Sequence, residues 1–120
     1  MLGTRLARSD CMLDQNFTPK ISETVHVEKM LTDLVPGFLK NKFDDINFIN
    51  SLIEKKEFSH IKKIGHDWKG ACPSYGFEYL GEVGKQFEIL VQNEDYDTLS
   101  NLVKTLPTYL KNVNVEYIES

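Results

Sequence analysis

The sequence predicts an all-α protein: an antiparallel four-helix bundle with an additional short N-terminal helix. Three observations carry this. Apolar residues recur every three or four positions through most of the chain. The segments so marked are each ~15–20 residues long and are joined by short turns, the pattern of consecutive antiparallel helices. No Asn-Gly or Asp-Gly hairpin signal, internal repeat or low-complexity tract interrupts them.

Each element has its own justification. Residues 1–20 lack either periodicity and end in Thr18-Pro19, so they are expected to form a flexible N-terminal leader, with residues 21–120 as the bundle domain. The short first helix is expected near residues 22–34. Hydroxyls at Ser22 and Thr24 suit an N-cap, and Val27, Met30, Leu31 and Leu34 form its stripe. Pro36-Gly37 interrupts the chain. A second segment then runs from about Pro36 to Lys56, with Phe38, Leu39, Lys42-Phe43, Ile46, Ile49, Leu52 and Ile53 on one face and Asp44, Asp45 and Glu54 mostly off it.

The third segment, from about Glu57 to Cys72, carries Phe58, Ile61, Ile64, Gly65, Trp68, Ala71 and Cys72 at three-to-four spacing. Pro73 should end it, since the residue before a proline is pushed out of the helical region. The fourth runs from about Phe77 to Gln92 with the stripe Phe77, Leu80, Val83, Gly84, Phe87, Leu90 and Val91. Asp95 suits the cap of the fifth, from about Tyr96 to Val115, where Pro107 should bend the helix because one backbone bond is lost.

Composition narrows the function. With 120 residues, 41% hydrophobic and 27% charged, the chain suits one ordinary globular domain. A net charge of −4 argues against a nucleic-acid partner, which calls for a basic face. Cys11 and Cys72 lie far apart without companion ligands, so reduced thiols are simpler than a disulfide or zinc site. The N-terminus has no signal-like apolar run, and no stretch has the length of a membrane span. A cytoplasmic, monomeric protein with no membrane contact is expected.

The chemistry concentrates on the third helix. Ile64 and Trp68 point to the core, and His66 lies two residues from each, roughly 200° around the helix, so it faces outward. Ser59, Lys62, Lys69 and Gly70 share that side. Lys69, at i+3, can meet the His66 side chain and stabilise a negative group on its imidazole. Gly70, at i+4, costs about 1 kcal/mol against alanine in a helix and leaves a notch beside His66. Ala71 and Cys72 are better placed than Gly70 for close helix packing. Ile64 and Phe38 are candidates for an apolar rim near His66. His26 and His60 are read as bystanders.

His66-Asp67-Trp68-Lys69-Gly70, followed by Tyr75-Gly76-Phe77 and Leu80, resembles the histidine-containing phosphotransfer (HPt) domain family, with its HxxKG, a short spacer, then GF and a leucine. Val35-Pro36-Gly37-Phe38-Leu39 and Glu88 also fit the family's run, and the resemblance covers roughly residues 25–118. It implies a phosphoryl group accepted and donated by His66 in a two-component multistep phosphorelay, with Lys69 and Gly70 as the motif's lysine and glycine. It implies response-regulator receiver domains or a hybrid histidine kinase as partners. Some relatives place a polar residue against the histidine. Spacing makes Glu88 the candidate, with Lys85 and Gln86 less suited, and such a carboxylate would fix the tautomer of the ring.

The chain departs from the family pattern at Pro73, Trp68 and Pro107, none of which removes a chemical group. No nucleotide-binding glycine loop is present, so a carrier without its own kinase activity or cofactor is expected, with magnesium on the partner receiver domain. The alternative is a non-phosphorylated helical adaptor that binds receiver domains. A metal-dependent helical-bundle enzyme would need Glu-x-x-His pairs, and none occurs.

Overall fold

The computed structural model describes residues 17–119. The chain is mostly helical. In order, it contains strand β1 (Thr24–Glu28), a 3-10 turn (Lys29–Leu31), helices α1 (Val35–Lys55) and α2 (Phe58–Ala71), a second 3-10 turn (Cys72–Tyr75), helices α3 (Glu78–Gln92) and α4 (Tyr96–Asn112), and strand β2 (Asn114–Ile118). Most of the predicted leader, together with Cys11, lies outside the described residues.

The helix ends follow the local chemistry. Pro36 sits in the first turn of α1, where its missing N–H is no loss. Lys56 closes that helix in the left-handed region at φ 60°. The Asp95 side chain caps α4 by accepting from the Thr98 backbone N–H at 3.3 Å. Pro107 stands inside α4, which nevertheless continues to Asn112. Pro73 does end the α-helical run: α2 tightens into a 3-10 turn, and Gly76 at φ 92° reverses the chain.

The expected short N-terminal helix is not formed, and the fold is not all-α. Residues 24–28 are instead a strand that pairs in parallel with β2, Thr24 against Asn114 through Glu28 against Ile118. The cause lies in the side chains. Thr24, Val25 and Val27 are β-branched, and Val25 and Val27 alternate inward with period two while their neighbours are exposed. The proposed helical stripe fails at Met30 and Leu34, which are 75% and 53% exposed. Residues 114–118 form the partner strand, with Val115 half-buried and its neighbours exposed, and α4 stops at Asn112 rather than near Val115.

Several bonds dock this ribbon on the helices. The Asn114 N–H donates to the Glu23 carbonyl at 2.8 Å, and the Asn112 amide to the Ile21 carbonyl at 3.1 Å. The Tyr109 hydroxyl donates to the Glu23 carboxylate, which also pairs with Lys20 at 2.9 Å. Burial, then the hydrogen bond and charge of Glu23, push the Tyr109 phenol far above its ordinary value. Gly76 admits the approach of β1: a Cβ there would meet the His26 carbonyl at 2.9 Å.

One core joins all of this. Ile46, Ile49, Ile61, Trp68, Phe77, Leu80, Phe87, Leu99, Leu106 and Tyr109 are among its large, essentially fully buried members. Phe38 stacks on Tyr75 and Phe77 with centroids 4.5 and 4.9 Å apart, and so is not part of an exposed rim; Ile64 is half-buried. Cys72 is a free buried thiol, pushed up to about 11 by burial, with the Lys42 charge opposing. Trp68 touches the Phe87 ring at 5.5 Å. Truncating it to alanine should lower unfolding free energy by ~3–5 kcal/mol, measured by denaturant titration.

Candidate functional site

The site begins with the way α2 meets α3. These helices form a hairpin whose contacts pair early residues of one with late residues of the other: Lys62 Nζ donates to Gln92 Oε1 at 2.6 Å. At the crossing, two glycines face each other. A Cβ on Gly65 would stand 2.5 Å from the Gly84 carbonyl oxygen and 2.7 Å from the Phe87 Cβ. A Cβ on Gly84 would stand 2.7 Å from the Trp68 Cβ and 2.8 Å from the Lys69 backbone nitrogen. No other residue type allows two helix backbones this close, because every other one carries a Cβ. Farther along, Gly81 accommodates the Pro73 ring in the same manner.

This approach sets the reach of the side chains on either rim. His66 projects from α2 with 69% of its side chain exposed. Glu88 on α3 comes to it: the His66 Nδ1 and Glu88 Oε2 are 3.2 Å apart. The second carboxylate oxygen of Glu88, Oε1, lies 3.0 Å from Lys69 Nζ. Glu88 therefore holds the imidazole with one oxygen and the ammonium with the other. Burial works to raise its proton affinity, but hydrogen bonds from Lys69 and His66 and their charges outweigh burial and hold it below the ordinary 4.5. An ionised carboxylate has no proton to donate, so the ring nitrogen facing it must carry one. The neutral imidazole is thereby fixed as the Nδ1–H tautomer, with the Nε2 lone pair directed away from Glu88.

Gly70 lies in the last turn of α2 on the exposed side, with no atom within 4 Å of the position a Cβ would take. It leaves bare backbone one turn from His66. On the other side of the ring, a shallow groove of about 400 Å³ is lined by Lys62, Glu88, Ile89, Gln92 and Asn93. A larger groove, about 840 Å³, runs beside β1 past Lys20, His26, Tyr79 and Lys85 and holds none of the four candidate site residues.

The four residues expected from the sequence are thus on one surface, three of them in direct contact. Glu88 is the hydrogen-bond partner; Gln86 is fully buried and Lys85 lies along the larger groove. His60 pairs loosely with Glu57 at 3.8 Å and His26 with Glu116 at 3.2 Å, both away from His66. Two features escape a reading of the sequence. The close helix contact is made by Gly65 and Gly84, whereas Ala71 is exposed. The signal was present, as a glycine on the core stripe of each of two successive helices. Asp45, placed off the apolar face, instead accepts from the Trp68 indole at 2.8 Å.

Among the described residues, no group of three or more His, Cys, Asp and Glu side chains is arranged to hold a metal ion, and no helix is long and apolar enough to cross a membrane. No protein-family model, curated protein or solved structure matches the chain.

Two measurements check this geometry. Gly65→Ala should destabilise by about 1–3 kcal/mol despite better helix propensity, because the helices must move apart. Gly70→Ala, with open space around the new methyl, should stabilise by ~0.5–1 kcal/mol; chemical denaturation of both variants separates the two. For Glu88, a folded value below the unfolded one means the contact stabilises the fold at neutral pH. That contribution fades as pH falls through the lowered value. Carbon-13 NMR titration should place the Glu88 midpoint below 4.5, and Lys69→Ala should move it upward.

Proposed function

We propose that this chain is a histidine phosphotransfer protein, accepting and donating a phosphoryl group on His66 in a multistep phosphorelay. The observation that carries the proposal is an exposed imidazole, tied through Nδ1 to a carboxylate that an adjacent lysine keeps ionised. The resemblance of His66 to Gly70 and Gly76-Phe77 to the HPt motif supports the same reading, as does the hairpin of α2 and α3, which suits an antiparallel four-helix bundle.

In the proposed reaction the Nε2 lone pair attacks the phosphorus of a partner's aspartyl phosphate in line with the acyl oxygen. The Nε2–P bond forms, the P–O bond breaks, and the aspartate leaves as a carboxylate. The ring keeps its Nδ1 proton and gains positive charge, which the Glu88 carboxylate stabilises. Lys69 offsets the charge of the phosphoryl oxygens, and the bare backbone at Gly70 gives the partner room to approach. The reverse sequence returns the group to an aspartate on a second receiver domain. Such transfer depends on positioning and charge stabilisation more than on covalent chemistry by the carrier. The chain therefore works without a nucleotide site or cofactor of its own, as a cytoplasmic monomer, and magnesium resides on the receiver.

The test is incubation with a phosphorylated receiver domain. The expected product is acid-labile, base-stable label on the protein, lost in His66→Gln. Undiminished label in that variant rejects the proposal. Binding that survives His66→Gln, with no label on either form, identifies a receiver-binding adaptor instead.

A further inference from the structure

The glycine contact between α2 and α3 brings the two axes together but offers no side chain to resist rotation of one helix about its own axis. Something else must set the azimuth at which α2 presents His66 to Glu88. Trp68 is the residue placed to do so. It is 1% exposed, two positions from His66 and next to Lys69, and its ring meets Phe87, the neighbour of Glu88. A buried indole carries one donor, and here its Nε1–H donates to Asp45 Oδ2 on α1 at 2.8 Å.

Asp45 is in turn held. The same oxygen lies 3.2 Å from Lys42 Nζ, on the same helix one turn earlier. The Lys42 side chain is 8% exposed, so its ammonium cannot easily turn to water for compensation. It is further fixed over two aromatic faces, 5.1 Å from the Trp68 centroid and 5.3 Å from that of Phe38. Phe38 stacks on Tyr75 and Phe77, the residues that flank the turn from α2 into α3. The contacts are mutual: Phe38 and the indole face flank Lys42, Lys42 holds the Asp45 oxygen, and that oxygen accepts from the indole N–H, so the three side chains lock one another.

We infer that Lys42 and Asp45 are positioning residues, which through Trp68 fix the rotation of α2 and so hold His66 and Lys69 against Glu88. Neither touches the imidazole. Their effect is read in its orientation. This inference rests on the proposed phosphotransfer for its kinetic consequence, but not for its structural one.

The experiment measures two quantities on the full chain: the tautomer of neutral His66 by nitrogen-15 NMR, and the rate of phosphoryl acceptance from a phosphorylated receiver. In Asp45→Ala the Nδ1–H form should lose ground to the Nε2–H form that free imidazoles favour, and acceptance should slow by at least about tenfold, since small misplacements of a reacting group are expensive. Asp45→Asn, which keeps an acceptor for the indole, should restore the tautomer. Should Asp45→Ala fail to fold, the pair Lys42→Met with Asp45→Leu replaces the ions by apolar chains of similar length, a change that commonly preserves stability, and the same two readouts decide. A folded variant lacking the Asp45 acceptor, with wild-type tautomer and wild-type rate, overturns the inference. A shifted tautomer in a protein whose wild type accepts no phosphoryl group leaves it standing and refutes the proposed function instead.

Discussion

The surface around His66 depends on one constraint: two helix backbones can come within atomic contact only where neither carries a Cβ. Gly65 and Gly84 meet this condition on adjacent helices. Because the axes are so close, a glutamate on α3 spans to the rim of α2 and engages a histidine and a lysine together. A side chain at either glycine would clash with the opposing backbone and force the helices apart, lengthening the span that Glu88 has to bridge. The polar site is thus a product of apolar packing directly beneath it.

That dependence explains the division of labour within α2. Its inward positions, Ile61, Gly65 and Trp68, are buried and fix the helix. Its outward positions, His66, Lys69 and Gly70, make few commitments to the fold and remain open to a partner. Glu88 belongs to both sets. Its carboxylate is half-buried and engages the His66 ring and the Lys69 ammonium together, yet it borders the groove lined by Lys62 and Ile89.

Much of this was legible in the sequence. The long helices announce themselves by apolar spacing, and Asp95 by the chemistry of a cap. The shared face of His66, Lys69 and Gly70 follows from helical geometry once the core stripe is drawn, whereas Glu88 comes from the resemblance to the HPt family, which implies a polar partner on the next helix, with spacing only choosing the position. The ribbon was not legible, because Val25 and Val27 share the segment with Met30, Leu31 and Leu34, and three-to-four spacing can be traced through the mixture. Parallel pairing with residues at the other end of the chain leaves no local mark. The role of Gly65 and Gly84 was obscured for a related reason: a glycine in an apolar stripe looks like a gap, and only the opposing helix reveals it as a contact. Lys42 is buried and Asp45 half-buried, and their placement is tied to an indole more than twenty positions away.

The β1–β2 ribbon also bears on how the chain assembles. Its register joins residues some ninety positions apart, as does the Lys29–Glu119 ion pair at its far end. The α2–α3 hairpin, by contrast, closes over a single short turn. Loop-closure entropy therefore favours the hairpin as the early event, with the ribbon zipping late, once the intervening helices have brought its strands together. The histidine surface then belongs to the part of the molecule that organises first, and the seam joining the strands is the part most readily reopened.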